Sequence, residues 1–169
     1  LRRAPARRRW IGRAFGGAIA ALCLAYVAGP AIWLRMEADA RTRTAETRTI
    51  ALEDGSRLQL GPDSAIASEF SAGTRTVRLL AGEIYLDVAH DEARPFHVVS
   101  RDLDVRVLGT AFNVRVSDDG TEVGLERGSV NASGAVAGNA VNETLAPGDL
   151  VAVDRETGQT RKEKIAPED

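Results

Sequence analysis

The chain has 169 residues, enough for one domain of ordinary size and an appended segment. Its 22 basic and 24 acidic residues nearly balance, but six of the arginines precede residue 14 and no acidic residue occurs before Glu37. The acidic body that follows excludes nucleic acid as its partner, because phosphate binding needs clustered Lys and Arg. The one cysteine, Cys23, excludes a disulfide framework.

Residues 1–13 form a basic stub. Residues 14–34, AFGGAIAALCLAYVAGPAIWL, run for 21 positions without a charge, the length a helix needs to cross the hydrocarbon core. Arginines on its N-terminal side, and Arg35, Glu37 and Asp39 beyond it, predict one transmembrane helix. The N-terminus then lies in the cytoplasm and residues 35–169 lie across the membrane. A cleaved signal peptide is the competing reading, set against an apolar stretch longer than a usual signal core and a loose cleavage site, LRMEADA. Residues 35–47, charged and threonine-rich, read as a linker.

From residue 48 to residue 155 short alternating runs recur between turn residues, the pattern of half-buried strands. RTIALE and SRLQL flank Asp54-Gly55, a hairpin signal of the type I′ kind. SAIASEF, TRTVRLL and EIYLDVA follow, with Ser71-Ala72-Gly73 and Ala81-Gly82 as turns. Beyond Pro95 come FHVVS, LDVRVL, TAFNVRV, TEVGLE, SVNAS, VNETL and LVAVD; residues 156–169 read as a tail. The expected fold is all-β, an antiparallel sandwich or rolled sheet of about ten to twelve short strands. Val77, Leu79, Ile84, Leu86, Phe96, Val105, Val107, Phe112 and Val114 are its expected core. A weak repeat, Leu79-x-x-Gly82-x-Ile84, Leu125-x-x-Gly128-x-Val130 and Leu145-x-x-Gly148-x-Leu150, reads as strand, glycine turn, strand.

The chain offers little for catalysis. His90 and His97 are the only histidines, and Asp87, His90 and Asp91 make no metal-ligand spacing, so neither metal nor cofactor is expected. Glu83 and Asp87, four apart on one strand, share a face but stand about 13 Å from each other, too far for joint acid–base work. Such a domain binds a partner or transmits a signal and turns over no substrate.

LLAGEIYLDVAHDEARPFHV, residues 79–98, resembles the FecR family of single-pass inner-membrane sigma-factor regulators. The family's motifs match in order: Asp54-Gly55, then Gly82-Glu83 and Asp87, then Pro95-Phe96, then Gly109-Thr110 and Phe112. The resemblance implies a β domain in the periplasm that contacts the signalling domain of a TonB-dependent outer-membrane receptor loaded with an iron chelate. It also implies a cytoplasmic region that binds an extracytoplasmic-function sigma factor, of which residues 1–13 would be the remaining part, and a further periplasmic segment beyond the β domain. The alternative is a membrane-anchored periplasmic β scaffold for cell-envelope assembly that binds lipid or glycan. The resemblance also gives Gly109-Thr110 two readings: a structural corner, or a point of self-cleavage in which the Thr110 hydroxyl attacks the Gly109 carbonyl, helped by strained glycine backbone.

Overall fold

The structure is a computed structural model and describes residues 38–71 and 73–165. The expected transmembrane helix and basic stub lie outside the described residues. Among those described there is no helix, and thirteen strands build one all-β unit.

The strands are β1 (Ala40–Arg41), β2 (Arg48–Ala51), β3 (Arg57–Leu60), β4 (Ala65–Phe70), β5 (Arg75–Asp87), β6 (Phe96–Val99) and β7 (Leu103–Val107). They continue as β8 (Ala111–Val116), β9 (Gly120–Arg127), β10 (Val130–Val136), β11 (Asn139–Leu145), β12 (Asp149–Asp154) and β13 (Thr160–Lys164). One sheet runs β11-β10-β7-β6-β5-β4-β1 and the other β13-β12-β9-β8-β5-β3-β2. Strand β5 belongs to both. All its pairings are antiparallel except that with β6.

The sequence places a turn at Ala81-Gly82, and the structure corrects this: TRTVRLL and EIYLDVA are a single strand. Val77 and Leu79 point inward at odd positions, Ile84 and Leu86 at even ones. The inward phase flips across residues 80–82: the β4–β5 register skips Leu80, between the pairs Ile66–Leu79 and Ala65–Ala81, Gly82 adopts φ +81°, and one out-of-step residue exchanges the two faces of a strand. The two halves of β5 therefore line the two sheets in turn. A Cβ on Gly82 would lie 2.3 Å from Ser64 Oγ, so only glycine fits.

The repeat has a common meaning beyond the hairpin. Gly128 (φ +97°) lies where the chain leaves β9 in one sheet for β10 in the other, and Gly148 (φ +82°) where it passes from β11 to β12. All three glycines are points at which the chain changes sheet, and left-handed backbone supplies the sharp corner.

Every residue expected in the core is buried, among them Phe96, Phe112, Ile84 and Leu86 at 0% exposure, and the inner faces of both sheets form one cluster. Two other expectations change. Asp54-Gly55 does not form a type I′ turn: Gly55 alone is left-handed (φ +86°), its N–H donates to the Leu52 carbonyl and Leu52 N–H to the Ser56 carbonyl. That is the three-residue loop in which a turn is followed by a left-handed glycine. The strands also extend past 48–155 at both ends. β1 pairs with β4 and β13 with β12, through backbone bonds that need no apolar alternation.

Candidate functional site

Strand β5 and parallel β6 are joined by residues 88–95. Parallel neighbours usually need a longer crossover; this one suffices because β5 bends at Gly82. Arg75, 1% exposed, holds the crossover in place. Its guanidinium pairs with Asp54 at 3.0 Å and donates to the carbonyls of Ala89, Asp91 and Arg94 at 3.0, 3.3 and 2.7 Å. It also lies 5.6 Å from the centre of the Phe96 ring. Asp54 in turn accepts from the Ser56 hydroxyl and N–H, and Ser56 Oγ accepts from Ala89 N–H. Nothing in the spacing of an arginine at the head of an apolar strand announces this clamp.

The clamped crossover is laid against the corner 108–110, which carries the chain from β7 in one sheet to β8 in the other. Val88 N–H donates to the Thr110 carbonyl and Asp91 N–H to the Leu108 carbonyl, both at 2.9 Å. Gly109 sits between these bonds, packed on His90: a Cβ there would lie 2.6 Å from His90 Nδ1 and 2.8 Å from its Cα and Cβ. Gly109 is not among the left-handed glycines, so the expected backbone strain is absent and close packing is what demands glycine. Gly128 closes the far side, where a Cβ would meet Thr110 Cγ2 at 2.5 Å and the Gly109 carbonyl oxygen at 3.0 Å.

Together His90, Arg106, Leu108, Thr110, Gly128 and Asn131 line a cleft of about 500 Å³. Thr110 is 2% exposed and its Oγ1, fully buried, finds no hydrogen-bond partner. A buried polar group left so costs about 1–3 kcal/mol, and such exceptions call for a reason. His90 stands at the rim, 67% exposed, with Nε2 3.4 Å from Glu92 Oε1.

Of the motif residues, only Gly109 and Thr110 line this cleft. Asp54 and Gly55 serve the Arg75 clamp and its loop, while Pro95 leads the crossover into β6 beside buried Phe96, which meets Phe70 edge-on at 6.0 Å. Gly82 turns β5, and Phe112 is core. Glu83 is fixed by its backbone: its carbonyl accepts from Gly61 N–H and Ser64 Oγ, and its N–H donates to Ser64 Oγ. Asp87 takes hydrogen bonds from Arg57 and Arg127, which hold its carboxyl below the usual range. The sequence reading missed His90 as a member of the site; its position at a turn beside acidic residues carries no signal of the corner it packs against. Among the described residues no cluster of His, Cys, Asp and Glu could hold a metal.

The FecR protein family matches residues 38–131, which include the clamp, the crossover, the corner and Gly128. The chain belongs to the FecR family. Two crystal structures of a "putative anti-sigma factor" from Parabacteroides distasonis ATCC 8503 share the fold and 27% sequence identity with this FecR chain, with TM-scores of 0.68 and 0.67. Each likeness covers 75% of this chain and 59% of the Parabacteroides protein, so this chain matches well under two thirds of that relative's length. No curated protein matches the chain.

Proposed function

We propose that this FecR-family chain is a transmembrane regulator that relays occupancy of an outer-membrane TonB-dependent iron-chelate receptor to an extracytoplasmic-function sigma factor. The observation that carries the reading is the family match over residues 38–131, joined by the likeness to an anti-sigma factor. The match favours it over the envelope scaffold. In this reading the β unit is the periplasmic receiver, and the edges of its sheets are where a partner strand can add. One edge is partly covered: on β11 the Thr144 carbonyl accepts from Lys162 Nζ, and the Asn139 side-chain amide donates to the Thr157 carbonyl. β13 is exposed throughout and guarded by four charged side chains, Arg161 to Lys164. β2, RTIA, is the edge of the second sheet with the least charge to repel a partner. Hydrogen exchange with the receptor's signalling domain bound should protect Arg48–Ala51; the absence of any edge protection would exclude strand addition. Deleting the gene in the native cell should change transcription of the sigma factor's iron-transport targets. Unchanged transcription with and without iron chelate would overturn the reading.

The buried, unpartnered hydroxyl of Thr110 favours self-cleavage at Gly109-Thr110 as part of this signalling. A threonine hydroxyl reaches the preceding carbonyl through a five-membered ring, moving the acyl group from nitrogen to oxygen and leaving an ester that water cleaves more readily than an amide. Purified chain should contain a fragment beginning at Thr110, seen by mass spectrometry. Thr110→Ala should abolish it and Thr110→Ser should keep it; a chain that stays intact on long incubation leaves Gly109 as a structural corner.

A further inference from the structure

We infer that the outer face of the second sheet carries a docking groove for a peptide segment of a partner protein, one that presents an arginine beside an apolar side chain. The inference stands on this groove alone, apart from the receptor and cleavage readings. Strand alternation builds the groove. Ile84, Leu86, Phe112, Val114, Val123 and Leu125 point into the core, so Glu83, Tyr85, Asn113 and Gly124 point to the opposite face. In the ladder Tyr85 pairs with Asn113, and Asn113 with Gly124. Gly124 leaves a bare position in the middle of this face, and a groove of about 1010 Å³ runs over it.

The two walls are apolar and fixed. On one side stands Tyr85, 37% exposed, whose hydroxyl donates to Glu126 Oε2 at 2.8 Å. On the other stand Pro147 and Ile165, the latter 48% exposed. Ile165 N–H donates to the Gly148 carbonyl and Gly148 N–H to the Leu125 carbonyl, at 2.8 and 2.7 Å, which ties that wall to β9. Tyr85 and Ile165 are two of the three large apolar side chains exposed among the described residues. Exposed apolar groups gathered in one place mark an interaction site, and walls already in position spare the ordering cost of binding.

Charge selects the occupant. The groove is lined by two carboxylates, Glu83 and Glu126, and one cation, Lys164. Lys164 is already committed to Asp149 at 2.7 Å. Among the described residues the Glu83 carboxylate meets only the Asn113 amide, at 3.5 Å, and that of Glu126 only the Tyr85 hydroxyl. Arg115, opposite Glu83 in the ladder, lines a different groove. Neither glutamate charge is balanced. Glu83 and Tyr85 are two apart on one strand, about 7 Å between their Cα atoms, and Glu126 sits at the phenol hydroxyl. A guanidinium laid on the Tyr85 ring therefore has both carboxylates beside it. Arginine stacks on aromatic rings and forks onto carboxylates better than lysine does. The apolar neighbour of that arginine fills the bare position over Gly124.

The same rim repels anionic lipid. Residues 166–169, Ala-Pro-Glu-Asp, add two more negative charges, which disfavours the chain's own continuation as the occupant.

The test uses the full chain in phosphatidylcholine nanodiscs, with a phage-displayed library of random short peptides as the probe. Bound peptides should converge on arginine next to leucine, isoleucine, valine or phenylalanine. A synthetic copy of that consensus should bind more weakly as salt rises. Tyr85→Ala should weaken it about 30-fold, the scale of a lost interface hot spot, and Ile165→Ala by a smaller factor. Reversing the rim with Glu83→Lys and Glu126→Lys should redirect the library to aspartate or glutamate beside the same apolar residue, which loss of folding would not produce. No consensus, an acidic consensus on the wild-type rim, or binding untouched by Tyr85→Ala would overturn the inference. Three other outcomes would overturn it as well. Peptide binding only after deletion of residues 166–169 gives the groove to the chain's own tail, displacement of the peptide by phosphatidylglycerol vesicles gives it to lipid, and self-association lost in Tyr85→Ala gives it to a second copy.

Discussion

Asp54 shows how one residue can be read correctly as a motif and wrongly as a feature. Beside Gly55 it has the look of a surface hairpin residue, yet its carboxylate is 3% exposed and is the counter-ion of Arg75, itself 1% exposed. Removing one member of a buried ion pair leaves the other uncompensated in a low dielectric, which costs about 3–5 kcal/mol. Asp54→Ala should therefore destabilise the β unit about as much as Phe112→Ala, where truncating a fully buried ring also costs about 3–5 kcal/mol. Urea unfolding of the two variants checks this. The two differ in kind: Asp54→Ala should also loosen the crossover that Arg75 holds and speed proteolysis near residues 88–95. A Phe112→Ala midpoint close to wild type would show that the ring is not needed for the core.

Among the elements, β13 is the least foreseeable. All five of its residues are exposed, so no inward face marks it as a strand. It is held by the backbone ladder to β12 and by Lys162 and Lys164 on Asp149 at 3.2 and 2.7 Å. Lys164, the Ala146 N–H and Lys162 together hold the Asp149 carboxyl far below the usual range. Ending the chain after Arg155 removes β13 and bares the β12 edge, whose Val151 and Val153 face the core. Lower thermal stability and self-association are expected, read by calorimetry and light scattering. Unchanged melting would show that β13 adds no stability to the sheet it borders.

At the scale of the whole β unit, the shared strand β5 makes the two sheets one cooperative body, and a second tie joins them on the way from β12 to β13. Arg155 pairs with Asp102 at 2.7 Å and donates to the Ser117 and Asp118 carbonyls, while the Thr121 hydroxyl donates to Asp102. Arg155 first, then Thr121, holds the Asp102 carboxyl below its ordinary value. A carboxyl lowered on folding adds stability that is present above its unfolded value, near ~3.9, and is lost as pH falls through the lower folded one. Stability should thus decline from about pH 4 downward, and Arg155→Ala should flatten part of that decline in denaturant titrations across pH. An Arg155→Ala slope equal to wild type would place the acid sensitivity elsewhere, at Asp149 or Asp87.

The residues themselves determined what depends on local pattern: the all-β class, ten of the strand positions, the core residues and the family motifs, because alternation and turn chemistry are written within a few consecutive positions. Tertiary structure decided what depends on residues distant in sequence. Whether Gly82 ends a strand or turns it is settled by Ser64 packed against it. Whether Asp54 faces water is settled by Arg75, 21 positions away. Whether Gly109 is strained or merely crowded is settled by His90. Short backbone-held strands such as β1 leave no apolar period to read, and a histidine at a turn shows nothing of the corner it will cover. Those contacts exist only once two sheets have closed on one core.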